Sequence, residues 1–371
     1  MSESLTPEDV NRRFVEEHLR HRWTDFIEGG ETEPHTEAIL REVARQRVTL
    51  QRQGRNVLFF RDGVCLGGMM SATTSLNSNI SQVIASSKKL TKSVLEEASI
   101  PAPMARQYSE TQWEAAASFF QNRPEGTRSV VKPSDGRQGQ GITTGVRMLA
   151  DLEAAWRRAM DASRAKQLLI EEEVPGVDVR VFVVQGRAVA AATRIPPFIV
   201  GDGVSDVAEL IEHLQNARKS HVYMKSRELK VDVDYLGRNG VDETSVLAAG
   251  EVCFLNGTAN LSRGGVAVDL TDVIPHGTLQ IAERAATAVP GLEVAGVDLL
   301  MPDAASAEGA VVLEINSSPN LLVHDAPAFG SPREVARTVA HAMVGGPLRS
   351  HRTSALTQLR RRAVNRLRKL R

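Results

Sequence analysis

Apolar positions change their period along the chain. Over Asn11–Trp23 they recur at helical spacing among charges, and Thr6-Pro7-Glu8 supplies a cap followed by a first-turn proline, which predicts a helix. Glu28–His35 is a polar Gly/Pro break, and Thr36–Arg47 resumes the helical period. Val48–Leu50, Val57–Phe60 and Val64–Leu66 are short strand candidates separated by Gly54-Arg55-Asn56 and Asp62-Gly63, as in a meander. Leu90–Ala98 predicts a helix that ends at Ile100-Pro101-Ala102-Pro103. Further strands are expected at Val130-Val131, Gln167–Ile170, Gly250–Leu255, Gly265–Leu270, Ala295–Met301 and Ala310–Ile315. Val179–Val184 and Ala188–Thr193 read as a hairpin about Gln185-Gly186. Helices are expected at Ala150–Ala162, Val207–Leu214, Leu279–Val289 and Pro332–Met343. A strict βαβ rhythm is missing, so the pattern argues for α+β layers with antiparallel sheets.

Composition narrows the function classes. The chain has 371 residues, enough for two or three domains. Lys+Arg and Asp+Glu both number 45, which excludes an overall electrostatic affinity for nucleic acid. Aromatic residues make up 4%, too few for single-strand stacking platforms. Cys65 and Cys253 cannot build a disulfide framework or a four-thiolate zinc site. The N-terminus carries no apolar stretch after its charges, and no run approaches the ~20 apolar residues that span a bilayer. A soluble cytoplasmic protein is expected. Arg349–Arg371 differs from the rest, with nine Arg or Lys, no acid, and Leu356, Leu359, Val364, Leu367 and Leu370 near helical spacing. Two readings stay open for it: a docked terminal helix, or a basic amphipathic segment for an anionic partner or membrane surface.

Lysine is scarce here, nine of the 45 basic residues, so a lysine closing an apolar strand needs a reason. Lys132 ends Ser129-Val130-Val131 and precedes Pro133-Ser134-Asp135-Gly136-Arg137-Gln138-Gly139-Gln140-Gly141. Glycines let backbone N–H groups turn toward an anion, and the ammonium adds a compact charge suited to phosphate. The lysine precedes the loop, so this is neither a Walker loop nor a dinucleotide fingerprint. A plain Gly-rich surface turn is the alternative. A second constellation is Asp298 in an apolar strand with Glu314-Ile315-Asn316 in the next. The side-chain period of two puts Glu314 and Asn316 on one face, and Pro302–Gly309 is long enough to pair the strands. Two carboxylates and an amide oxygen suit a hard cation such as Mg²⁺; exposed acids on edge strands are the alternative. A third piece is Glu171-Glu172-Glu173-Val174, an acidic turn before a strand with Asp178 and Arg180 on one face. Arg194 and Arg263 are further cations in small or apolar surroundings, and the arginine fork suits carboxylate and phosphate oxygens.

The order of these pieces resembles the ATP-grasp superfamily. Ser87–Lys92, Ala98–Pro103, Val131–Gly141, Val200–Gly203, Ala259–Gly265 and Pro327–Arg333 resemble the ATP-grasp module of cyanophycin synthetases, and the same segment is similar to the ATP-grasp half of bifunctional glutathione synthetases. The likeness runs over about residues 70–340. It implies an ATP-grasp fold of two α/β subdomains gripping ATP over 86–348, with a lid near 125–200, a small N-terminal extension over 1–85 and a basic tail over 349–371. By resemblance, Lys88 and Lys132 are the nucleotide lysines, and Ser134, Gly136, Gln138, Gly139 and Gly141 lie over the phosphates. Glu171, Glu172 and Val174 form the adenine hinge, Asp178 meets the ribose and Arg194 holds phosphate. Asp298, Glu314 and Asn316 hold two Mg²⁺, with Mn²⁺ as a substitute. Arg180 and Arg263 are expected on the carboxylate and its acyl phosphate. Asn260, Ser262, Gly264, Gly265 and His324 are expected on the substrate side.

Three departures stand out. Pro319-Asn320 replaces the usual Pro-Gly, where asparagine tolerates the left-handed backbone. Ser87 stands where an aspartate commonly precedes the first lysine. The large Mur-ligase-like domain of the cyanophycin enzyme has no counterpart, so a stand-alone amino-acid or peptide ligase is expected. The implied reaction joins a carboxylate and an amine through an acyl phosphate, converting ATP to ADP and phosphate. Alternatives are a ligase acting on a protein or carrier-protein terminus, an ATP-grasp kinase that stops at phosphoryl transfer, and a non-catalytic nucleotide-binding subunit. Relatives suggest a homodimer or homotetramer.

Overall fold

The computed structural model describes residues 6–28, 34–124, 126–135 and 140–345. Gly136, Gln138, Gly139 and the tail over 349–371 lie outside them. The first helix, α1 (Pro7–His18), begins as the sequence predicts. The Thr6 hydroxyl accepts the Asp9 N–H while the Asp9 carboxylate accepts the Thr6 N–H, a reciprocal cap. Its apolar stripe of Val10, Phe14 and Val15 is buried. After α2 (His35–Ala44) comes a four-stranded antiparallel meander, β1 (Thr49–Gln53), β2 (Asn56–Arg61), β3 (Val64–Met70) and β4 (Thr73–Thr74). It turns at Gly54 and Gly63, both at positive φ. Then follow α3 (Asn79–Ser86) and α4 (Lys88–Glu97). Ser87 is the N-cap of α4, its hydroxyl accepting the Leu90 N–H, so serine supplies there the cap an aspartate would supply.

A second antiparallel sheet, with a core of its own, is built from β5 (Ala105–Ser109), α5 (Trp113–Gln121), β6 (Ser129–Pro133), β7 (Thr143–Val146), α6 (Leu149–Ala162) and β8 (Gln167–Glu172). Its strand order is β5-β8-β6-β7. The helices α5 and α6 cover it through Phe120, Leu152, Trp156 and Met160 against Val131, Leu168 and Ile170.

The chain continues through β9 (Val177–Val184), β10 (Arg187–Ile195), β11 (Phe198–Val200), α7 (Val207–Arg218), α8 (Val233–Arg238), β12 (Val252–Phe254), β13 (Val266–Asp269), α9 (His276–Ala288), β14 (Val294–Met301), β15 (Val311–Asn316), α10 (Leu322–Asp325) and α11 (Val335–Gly345). Five of these strands form the central sheet in the order β13-β10-β9-β14-β15. Every pairing between these strands is antiparallel, as the broken βαβ rhythm predicts. Residues 177–195, at the end of the segment expected to form the lid, lie in this central sheet.

The two faces of the central sheet differ. Odd positions of β9 (Val177, Val179, Val181, Val183) and β14 (Ala295, Val297, Leu299, Met301) are apolar and pack with α1 and α9. Even positions change character along the strand. Phe182, Val184 and Val294 are covered by Ile39, Leu40 and Val43 of α2 and Val335, Val339 and Met343 of α11, with Val57, Phe59 and Met69 of the meander in the same core. Further along the same face stand Arg180, Asp178, Arg194, Asp298 and Glu314. Apolar side chains therefore anchor one end of the face and leave the other for charge. Among the described residues no helix is long and apolar enough to cross a membrane.

Candidate active site

Register assembles the charged row. Arg180 of β9 pairs with Asp298 of β14, and Asp298 pairs with Glu314 of β15. Directly opposed residues in an antiparallel sheet share a face, so guanidinium and both carboxylates stand side by side. Arg180 grips Asp298 with its fork, Nε to Oδ1 and Nη2 to Oδ2, both at 2.6 Å. Arg194 Nη2 donates to Asp178 Oδ1 and Oδ2 at 2.6 and 2.7 Å and to Asp298 Oδ2 at 3.2 Å. The Asn316 amide donates to Glu314 Oε1 at 3.0 Å and to Asp298 Oδ2 at 3.4 Å.

Burial opposes ionisation of these acids, and the arginines decide which of them ionise easily. Asp298 is 2% exposed, and Arg180 and Arg194 outweigh that burial and hold it well below the usual carboxylate range. Asp178 is raised by burial, with the Asp298 charge adding to the shift and Arg194 opposing it. Glu314 is raised by desolvation and by the Asp298 charge opposite it. Arg194 is held more firmly protonated by Asp178 and Asp298, against the pull of its own burial.

A cleft of about 210 Å³ opens over this row, and its charged lining is Lys88, Lys132, Asp178, Arg194, Asp298 and Glu314, with Ile142 and Leu313 as apolar wall. All six charged residues are ones the sequence singles out. Lys88 comes from α4, its ammonium donating to the Ser134 carbonyl at 3.4 Å, and Lys132 comes from β6 of the second sheet. A wider, open depression of about 630 Å³ beside α7, lined by Glu209, Glu212 and His213 among others, shares no residue with the cleft.

Glu171 does something the sequence does not reveal. It is buried in β8 and pairs with two lysines, Lys132 Nζ at 3.0 Å and Lys92 Nζ at 3.1 Å. Lys92 also donates to the Pro103 carbonyl at 3.0 Å. Burial lowers the pKa of Lys92 and of Lys88, and the Lys132 charge adds to both shifts. Sequence reasoning passed over Lys92, although its four-residue spacing from Lys88 puts both on one helix face. Glu172 follows with an exposed side chain, its N–H bonded to the Met104 carbonyl, and Val174 is half-buried. Gly141 sits at φ +71, where a Cβ would lie 2.5 Å from the Ala162 Cβ, so the loop end needs glycine.

Other expected residues lie apart from the cleft lining. Asn260–Gly265 is a turn, with Asn260 Oδ1 accepting from Ser262 N and Oγ at 3.0 and 2.9 Å. Gly264 holds φ +101, and Ser262 and Arg263 are exposed. Arg180, expected on substrate, is committed to Asp298. His324, expected on the acceptor side, is wholly buried on α10, edge-on to Phe182 at 5.6 Å between ring centres, and neither ring nitrogen has a hydrogen-bond partner among the described residues. Burial holds it neutral, pushed down to about 3.

The cleft between two antiparallel sheets, with lysines of separate elements facing arginine-gripped carboxylates, goes with an ATP-grasp fold, and most of the chain is similar to the ATP-grasp portions of carboxylate–amine ligases. No family model matches it. It is similar to the cyanophycin synthetase of Synechocystis sp., 34% identical over 317 residues that make up 82% of this chain and 36% of that protein. It is also similar to the glutathione biosynthesis bifunctional protein of Pasteurella multocida, 30% identical over 281 residues, 72% of this chain and 36% of that protein. The crystal structure of a bifunctional glutathione synthetase from Pasteurella multocida matches with a TM-score of 0.62 at 25% identity, over 84% of this chain and 43% of that one. The chain thus spans little more than a third of the length of these curated relatives.

Proposed function

We propose that the chain joins a carboxylate and an amine of amino-acid or peptide substrates at the expense of ATP, through an acyl phosphate. The observation that carries this reading is the placement of Lys88 and Lys132 opposite the Asp298–Glu314 pair in one cleft. A free carboxylate is a poor electrophile because its leaving group is poor. A carboxylate oxygen attacks the γ-phosphorus and ADP departs. The amine then attacks the acyl carbon, phosphate leaves with the C–O electron pair, and the amine gives up a proton. Such transfers need positioning and charge neutralisation more than a protein nucleophile.

Each residue of the cleft has a part in that reaction. Lys88, Lys132 and Lys92 would draw in the phosphate chain, with Glu171 fixing two of the three ammonium groups. Arg194 would face phosphate oxygens, and Asp178 would meet the ribose. The donor set suits a divalent cation. Asp298 and Glu314 place two carboxylates directly opposite one another, the Glu314 carboxyl is raised partly by that neighbour, and the Asn316 amide lies against both. These three residues would hold Mg²⁺, two ions in the fullest form, or Mn²⁺, which when bound screens phosphate charge. Arg263 and Ser262 would meet the substrate from their exposed turn.

A phosphate-release screen over pairs of amino acids and dipeptides, with mass spectrometry of the products, tests the reading. Phosphate released only when acid and amine are both present, with an amide of matching mass, is expected. Phosphate release without an amide would point to a kinase instead.

A further inference from the structure

Arg218 is the last residue of α7 and is 3% exposed. Among the described residues it reaches no carboxylate. Its donors go to main-chain and thioether acceptors: Nη1 to the Gly264 carbonyl at 2.9 Å and to Met224 Sδ at 3.5 Å, and Nη2 to the Arg227 carbonyl at 3.4 Å. A guanidinium buried without a counter-ion is a costly choice for space that an apolar side chain could fill. The negative end of its own helix offsets part of that cost.

The acceptors belong to two segments that also meet directly. Lys230 N donates to the Arg263 carbonyl at 3.3 Å, and Asn256 Nδ2 donates to the Lys230 and Arg263 carbonyls at 2.7 and 3.3 Å. A Cβ on Gly264 would stand 2.8 Å from Leu229 Cδ1. Segment 224–230 is therefore closed tightly against 256–265. His221, 1% exposed beside them, takes the Tyr223 and Met224 N–H groups on Nδ1, which leaves Nε2–H for the Pro327 carbonyl at 3.1 Å. Burial, and to a smaller degree the Arg218 charge, lower the pKa of that ring, and an imidazole in either protonation state offers the guanidinium no negative charge.

Resting on the ligase reading, we infer that Arg218 is a positioning residue that clamps the Asn260–Gly265 turn to the 224–230 segment, so that Ser262 and Arg263 present a preset, cationic binding edge to the carboxylate substrate and not to the nucleotide. The clamp needs the fork, because one planar group must satisfy acceptors on two backbones at once; lysine keeps the charge and loses that geometry. The turn carries the exposed Ser262 and Arg263 outward, whereas neither residue lines the cleft that holds Lys88 and Lys132.

Kinetics and amide hydrogen exchange on the full chain test this. Phosphate release is followed for the wild type, Arg218→Lys and Arg218→Met, titrating ATP in one series and an equimolar pool of common amino acids and their alanyl dipeptides in the other. Both variants should raise the half-saturating pool concentration about tenfold while the KM for ATP moves less than about twofold. Amides in 224–230 and 256–265 should exchange faster, with β9 and β14 unchanged. Parallel rises in both constants, or a fall in kcat alone, would overturn the assignment. Wild-type exchange rates in the two segments would overturn it as well, and that measurement stands even if the wild type makes no amide, an outcome that sinks the ligase reading separately. Should Arg218→Met fail to fold, Arg218→Lys carries both measurements.

Discussion

Arg180 and Asp298, 118 positions apart in sequence, share two parallel 2.6 Å hydrogen bonds on adjacent strands of the central sheet. Both are buried, so the pair is held by geometry and low dielectric together. Removing Arg180 leaves Asp298 with Arg194 alone, at 3.2 Å and without the two-pronged geometry. Arg180→Met should lose about 3 kcal/mol in urea unfolding, and adding Asp298→Leu should restore much of it. A double variant no more stable than Arg180→Met would show that the pair does not act as a unit.

Glu314 faces Asp298 with its carboxyl already raised by desolvation and by that neighbour. Glu314→Gln removes the repulsion and one anionic donor. Phosphate release measured against Mg²⁺ concentration should shift to about tenfold higher Mg²⁺ or vanish. An unchanged magnesium titration would remove Glu314 from the metal set.

Glu171 lies between Lys132 and Lys92, so each lysine is a structural partner besides the nucleotide role proposed for it. Lys132→Ala should abolish phosphate release and lower the Tm by ~2–4 °C, because buried Glu171 keeps a single cation. Adding Glu171→Gln should recover the melting temperature and none of the turnover. Turnover that survives Lys132→Ala would end the phosphate role.

Asp325 has its carboxyl pushed up to about 6 by burial, although the Val335 and Ala336 N–H groups donate to it. Its ordinary value is 3.8, so between the two values the folded chain keeps a proton that the unfolded chain gives up. The stability this group contributes is fully present below pH 3.8 and is lost as pH rises through about 6. Asp325→Asn should flatten the fall in Tm across that window relative to the wild type. Superimposable pH profiles would contradict the shift.

Local chemistry was legible wherever a signal is local. The Thr6 cap, the hairpin turning at Gln185-Gly186 and the helix over 149–162 follow from residue type and period alone. Elements whose apolar period is short or mixed escaped, among them α3, α5, α8 and the strands β5, β7 and β11. Such segments are fixed by what they pack on: β5 has few apolar residues and exists through its pairing with β8. The metal-type pair was within reach because a two-residue period and one turn suffice to bring Glu314 opposite Asp298.

By itself, then, the order of residues determined the helices with clean caps and stripes, the antiparallel character of the sheets, and the pool of charged side chains from which the cleft is drawn. Tertiary structure alone decided how that pool is spent. The register of β9 against β14 gives Asp298 to Arg180, and the meeting of α4 with β8 makes Lys92 a partner of Glu171. The packing of α10 on Phe182 seals His324 away, and the clamp on Asn260–Gly265 turns Arg263 outward. The physical reason is range. Propensity, capping and side-chain period act over a few residues, whereas a buried charge takes whatever partner the sheet register and core packing bring within about 3 Å.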